Sequence, residues 1–234
     1  MAETLAQVLL DTVKNYPRPD FMLYKKAGSY QPVSTEEFGR KVKQLCLGLR
    51  DLGLEKGDKV VILSENRPEW VITDHANLCL GAITVPIYTS LVPEQIKYII
   101  DDSDAKAVVV SCKDLWERVE AVKPSLTKVR HSITFLEEAP EGVLTLNQVL
   151  ERGRKVDEQN PALFESLVKA VKPEDEASLI YTSGTTGVPK GVILTHSNFL
   201  SNVQSVSTII EFSDKDTVLS FLPLSHVLER MVTF

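Results

Sequence analysis

Apolar residues fall on one face of a helical wheel from Thr4 to Asn15 (Leu5, Val8, Leu9, Val13), which predicts an opening helix. Phe21 to Lys26 and Tyr30 to Val33 read as a hairpin turning at Ala27-Gly28-Ser29. Ser34-Thr35-Glu36-Glu37 has the spacing of a capping box, with Ser34 starting a helix and Glu37 reaching back. That helix carries Phe38, Val42, Leu45, Leu49 and Leu52 at helical spacing and stops at Gly53. The period then alternates. Strands are predicted at Lys59–Leu63, Ile83–Ile87 and Ala107–Ser111, and helices at Pro68–Leu80, Pro93–Asp102 and Lys113–Val122. Short apolar strands between helices predict an α/β fold, a mostly parallel sheet flanked by helices. From Pro140 to Glu176 the chain is charged and weakly patterned, with room for one or two surface helices. Beyond it, strands are expected at Ala177–Tyr181, Gly191–Thr195 and Thr217–Phe221, and a helix at His196–Ile210.

Composition narrows the function classes. With 234 residues the chain can bury a substantial core, and 43% apolar with 25% charged residues is ordinary globular composition. A formal net charge of −6 argues against nucleic acid as a main partner and gives no attraction to anionic lipid. Cys46, Cys79 and Cys112 are odd in number and have no metal-binding spacing, which points to buried thiols in a reducing compartment. Met1-Ala2-Glu3-Thr4 lacks the start of a signal peptide, and the uncharged run Ala76–Pro93 contains two prolines and reads as buried helix plus strand. The expected location is the cytoplasm, with peripheral contact at a membrane left open.

The densest chemical signal is Thr182-Ser183-Gly184-Thr185-Thr186-Gly187-Val188-Pro189-Lys190-Gly191. Glycines allow positive φ and close approach to a ligand, and successive backbone N–H groups in such turns form anion nests. The hydroxyls of Thr182, Ser183, Thr185 and Thr186 add donors, and Lys190 adds a point charge. The order differs from the common phosphate loop, which needs Gly before Lys and Ser or Thr after it. Here Pro189 precedes Lys190 and Gly191 follows, and both flanks read as strands. With no helix directly after the loop, side chains carry more of the binding. Pro189 and the apolar flanks disfavour a flexible linker.

This segment resembles the signature of the AMP-binding, adenylate-forming enzymes. Ser64-Glu65-Asn66-Arg67-Pro68-Glu69-Trp70, Gly81-Ala82-Ile83-Thr84-Val85-Pro86-Ile87-Tyr88 and Phe221-Leu222-Pro223-Leu224-Ser225-His226-Val227-Leu228-Glu229-Arg230 resemble the long-chain acyl-CoA synthetase branch. The resemblance implies an ATP-dependent ligase that activates a long-chain fatty acid as an acyl-adenylate and passes it to coenzyme A. It implies phosphate contacts from Thr182, Ser183, Gly184, Thr185, Thr186, Gly187 and Lys190, with Thr182 beside Mg2+ and Lys190 acting in catalysis. It places His226 beside the acyl carboxylate, as a second catalytic residue. It also implies that residues 1–234 are the N-terminal portion of an adenylation domain. The ribose-binding aspartate, the magnesium-holding glutamate and the C-terminal subdomain with its lysine have no counterpart here. A non-catalytic nucleotide-binding fragment and a ligase for another carboxylic acid stay open as alternatives.

Other residues carry plainer expectations. His75, His131 and His196 read as structural. Asn66 suits a helix N-cap, Trp70 a core position, and Glu229-Arg230 a solvated pair. Asp101-Asp102-Ser103-Asp104 lacks calcium-loop spacing and reads as a helix end with its turn.

Overall fold

A computed structural model of the chain describes residues 2–183, 188–210, 213 and 215–234. Helix α1 (Leu5–Asn15) begins where Thr4 accepts a hydrogen bond from the Gln7 amide. The hairpin β1 (Met22–Lys26) and β2 (Ser29–Val33) turns at Ala27 and Gly28, at φ 50° and 86°. Ser34 caps α2 (Thr35–Asp51) through the Glu37 amide. The Glu37 carboxylate does not complete the expected box; it pairs with Lys41 at 2.7 Å, one turn on.

The alternating unit follows as β3 (Lys59–Leu63), α3 (Pro68–Leu80), β4 (Ile83–Ile87), α4 (Pro93–Asp102), β5 (Ala107–Val110) and α5 (Lys113–Glu120). Then come β6 (His131–Thr134), β7 (Leu144–Thr145), α6 (Leu146–Gln159), α7 (Leu163–Ala170), β8 (Glu176–Ser183), β9 (Pro189–Thr195), α8 (His196–Ser207) and α9 (Val227–Val232). Prolines at the first turns of α3 and α4 fit positions whose N–H groups lack intrahelical partners. The larger sheet runs β7-β6-β5-β3-β4-β8-β9, parallel except for β9, which returns antiparallel to β8. This is the mostly parallel architecture that the alternating pattern predicts.

Both faces of the sheet are covered. Val60, Ala107, Val109 and Ile133 pack with residues of α1, α2, α3, α6 and α7. Val61, Leu63, Val85, Val108 and Val110 pack with α4 and α5 on the other side. Alternate residues of β3 and of β5 therefore serve two cores, which is why these two strands read as nearly unbroken apolar runs. Pro86 lies inside β4 and has no N–H to donate towards a neighbour. The β4–β8 register is correspondingly brief, at Thr84↔Ser178, and the Ser178 hydroxyl supplements it by donating to the Thr84 carbonyl at 2.8 Å.

Three expectations change. Helix α6 is more than a surface helix. It packs on α2 so closely that a Cβ at Gly153 would lie 1.7 Å from the Gln44 carbonyl oxygen, and one at Gly48 would lie 2.1 Å from the Val149 carbonyl oxygen. Strands β6 and β7 extend the sheet beyond the predicted set. Thr217–Phe221 is irregular, not a strand; no described strand pairs with it, and Leu219 and Phe221 are 72% and 74% exposed. An alternating pattern forms a strand only where a neighbour takes its hydrogen bonds.

Candidate functional site

The carboxyl ends of β3, β4, β5 and β8 lie along one edge of the sheet, where open α/β sheets collect ligands. Strands β8 and β9 carry the flanks of the glycine-rich loop. Thr182 sits directly opposite Lys190 and Ser183 opposite Pro189. Residues opposite each other on antiparallel strands project from the same face, so the Thr182 hydroxyl and the Lys190 ammonium flank the loop mouth together. Both are exposed. Gly184, Thr185, Thr186 and Gly187 lie outside the described residues.

The opposite face of this hairpin is braced by α4. The Tyr181 hydroxyl donates to Asp102 at 2.6 Å, and the Tyr98 hydroxyl donates to the Pro189 carbonyl at 3.1 Å. The two rings meet edge to face at 6.4 Å between centroids. Burial, followed by the adjacent Asp102 carboxylate, pushes the Tyr181 phenol well above its ordinary range, so it remains a neutral donor. Gly191 belongs to this brace. A Cβ there would fall 2.8 Å from Leu179 Cδ1 and 3.2 Å from Tyr181 Cζ, so its absence lets the Tyr181 ring lie against β9.

His226 is exposed at the start of α9, where its Nδ1 accepts from the Leu228 amide at 3.2 Å. It follows the irregular segment, not a strand, and Asn66 is what brings that segment to the sheet edge. Asn66 does not cap α3; Arg67 occupies that position. The Asn66 amide instead donates to the Leu222 carbonyl at 2.7 Å and to the Ser220 hydroxyl at 3.1 Å, and accepts from the Leu224 amide at 2.8 Å. One side-chain amide thus replaces the missing strand pairing for the Pro223–His226 turn.

Glu229 and Arg230 are not solvated. They are 4% and 0% exposed. Glu229 accepts from the Leu222 amide at 3.2 Å. Arg230 makes a two-point pair with Asp74 of α3, at 2.7 and 2.5 Å, and also donates to Ser178 of β8. The sequence offered one unused signal for this pair: Asp74 interrupts a buried helix, and a carboxylate there requires a cation. Trp70 is fully buried, as expected. His75 lies between the rings of Phe38 and Phe234, and His196 accepts from the Leu5 amide at 3.2 Å through Nδ1. Burial lowers both imidazoles to about 4, so they are neutral structural groups near neutral pH. His131 is half-buried in β6. Asp101 and Asp102 close α4, and Asp104 turns at φ 57° beside its partner Lys128. Cys46 and Cys79 are buried, and Cys112 partly so. Among the described residues no cluster of three or more His, Cys, Asp and Glu could hold a metal ion, and no helix is long and apolar enough to cross a membrane.

The sequence profile of the AMP-binding enzyme family matches residues 9–234. The chain belongs to the AMP-binding enzyme family. Its curated relatives include the long-chain-fatty-acid–CoA ligase FadD15 of Mycobacterium bovis, 35% identical over 92% of this chain and 36% of the relative. The peroxisomal long chain acyl-CoA synthetase 6 of Arabidopsis thaliana is 34% identical over 87% of this chain and 29% of the relative. Among solved structures, a long-chain-fatty-acid–CoA ligase (FadD1) from Archaeoglobus fulgidus superposes with a TM-score of 0.79 at 25% identity, covering 99% of this chain and 45% of that one. The chain therefore spans about a third of the length of these curated relatives.

Proposed function

We propose that this chain forms the phosphate-gripping part of an AMP-forming ligase that converts a long-chain fatty acid to its coenzyme A thioester. The observation that carries the reading is the pairing of Thr182 with Lys190 across the mouth of the glycine-rich loop. A hydroxyl and an ammonium on one face, with the loop's backbone between them, suit the β- and γ-phosphates of ATP. The relatives' names supply the acyl and thiol classes. The activity is assigned to a protein that also carries the remaining length of those relatives, with residues 1–234 as part of its adenylation domain, in the cytoplasm or peripherally at a membrane.

The chemistry needs two displacements. A fatty-acid carboxylate oxygen attacks the α-phosphorus of ATP, the bond to the bridging oxygen breaks, and pyrophosphate leaves. The coenzyme A thiol then gives up its proton and adds to the acyl carbon, and AMP leaves. Both steps build charge on phosphate oxygens, so positioning and electrostatic stabilisation dominate. Lys190 offsets charge on the departing pyrophosphate. His226, on the exposed turn held by Asn66, is assigned to the side of the acyl carboxylate. The exposed Thr182 hydroxyl is the group on this chain that would help hold Mg2+. When bound, that ion neutralises phosphate charge.

The test is Lys190→Ala in the complete ligase. A charge-assisted hydrogen bond contributes about 1.5–3 kcal/mol. ATP–pyrophosphate exchange with palmitate should fall at least about tenfold with the melting temperature unchanged. Wild-type exchange in that variant would sink the assignment.

A further inference from the structure

We propose that Arg230 is a positioning residue that locks the His226 turn to the strand bearing the phosphate loop. The inference rests on the proposed function for the meaning of those two segments, but its geometry stands separately. Arg230 lies one turn after His226, and its amide donates to the His226 carbonyl at 3.2 Å. Its guanidinium is fully buried. Nε and Nη2 hold the two oxygens of Asp74, while Nη1 donates to the Ser178 hydroxyl. The Ser178 hydroxyl in turn donates a hydrogen bond to the Thr84 carbonyl on β4. One side chain thus joins α9, α3, β8 and β4.

The face of β8 that Arg230 grips matters. Ser178 and Thr182 are four residues apart on one strand, so both project from the same face, roughly 13 Å from one another. Thr182 shares that face with Lys190. Arg230 therefore anchors α9 on the side from which the phosphate-binding side chains emerge. Three rings enclose the cation: Phe199, Phe234 and Trp70, with centroids 5.0, 5.8 and 5.9 Å from Cζ. Stability alone does not call for such a group, because apolar residues of similar volume commonly replace a buried ion pair without loss. What apolar residues cannot supply is a planar fork that sets direction towards two partners at once. A lysine keeps the charge but loses the fork.

The test compares wild type with Arg230→Lys and with the apolar pair Asp74→Leu/Arg230→Met. Amide hydrogen exchange is followed by peptide across the chain, and melting is recorded alongside. In Arg230→Lys, exchange should rise at least tenfold in both 179–183 and 226–230, while α6 peptides stay within twofold of wild type. The apolar pair should recover the melting temperature but leave both segments fast. A uniform rise across all core peptides would assign Arg230 to general stability and overturn the proposal. Wild-type protection of both segments in the apolar pair would overturn it too. Titration of the same wild-type sample with Mg2+-ATP reads the proposed function independently: no binding counts against that function, while the exchange pattern still decides the role of Arg230.

Discussion

Substitution of Gly153 by alanine should destabilise this chain, although helix propensity alone argues for the opposite. Alanine is favoured over glycine inside a helix by about 1 kcal/mol. Position 153, however, faces the backbone of α2, and its new Cβ would lie 1.7 Å from the Gln44 carbonyl oxygen and 2.7 Å from the Gly48 nitrogen. Both are main-chain atoms of a regular helix and cannot rotate aside. Restoring ordinary contact, about 3.2 Å for carbon against oxygen, requires α6 to retreat by roughly 1.5 Å. A gap of about 0.5–1 Å already forfeits a quarter to a half of a dispersion well. The retreat would loosen Val149 and Leu146 against Leu45 and Leu49 and strain the Lys43–Asp157 and Arg152–Asp51 pairs that span the two helices. Burial of one such aliphatic side chain contributes about 1.5–3 kcal/mol. A quarter to a half of that lost at each of the four, less about 1 kcal/mol of propensity gain, leaves a net destabilisation of roughly 0.5–5 kcal/mol, centred on about 2–3 kcal/mol. Urea unfolding measures it: with a slope of about 1–3 kcal/mol per molar, the midpoint should fall by roughly 1–2 M. A Gly153→Ala protein as stable as wild type, or more so, would refute the close helix contact.

Three further outcomes are expected. Tyr98→Phe deletes the donor to the Pro189 carbonyl, a bond worth about 0.5–1.5 kcal/mol, and should weaken Mg2+-ATP binding several-fold in calorimetric titration while leaving melting nearly unchanged; unchanged affinity removes the Tyr98 bond from loop support. His75 and His196 have folded values near 4 against an ordinary 6.5, so the unfolded chain takes up protons first. Stability should therefore be full above pH 6.5, fall as pH drops towards 4, and lose nothing more from these groups below that, with His75→Leu flattening the slope; an unaltered slope assigns the acid sensitivity elsewhere. Finally, β9 leaves Val192 and Ile193 exposed, as are Ile209, Leu219 and Phe221, so residues 1–234 should self-associate in size-exclusion chromatography. A monodisperse monomer contradicts this expectation.

The sequence revealed elements best where punctuation and periodicity agreed. Pro68 and Pro93 set the starts of α3 and α4, and Gly81 ended α3 with φ at 75°. The fully buried, mostly apolar β4 was legible for the same reason, between Gly81 and the polar turn after Tyr88. β6 was not, since His131-Ser132-Ile133-Thr134 offers one large apolar residue and owes its strand to β5 alongside. Thr217–Phe221 erred the other way, with the pattern but no neighbour. At the candidate site the loop flanks were readable because their chemistry is local. Asn66, Asp74, Ser178 and Arg230 were not, because each is defined by a partner more than 50 residues away.

Pro86 has a consequence for how this chain is made. Strand β4 is buried throughout, yet its second neighbour is supplied by Ser178, 94 residues after Thr84. At about 5–20 residues per second, a ribosome needs roughly 5–20 s to deliver it. During that interval a largely apolar strand stands at the margin of the nascent sheet, where another chain could add to it. Proline withholds one of the N–H groups that such an addition requires. The residue that shortens the β4–β8 ladder in the finished protein is thus also a guard against mispairing while β8 is still being synthesised.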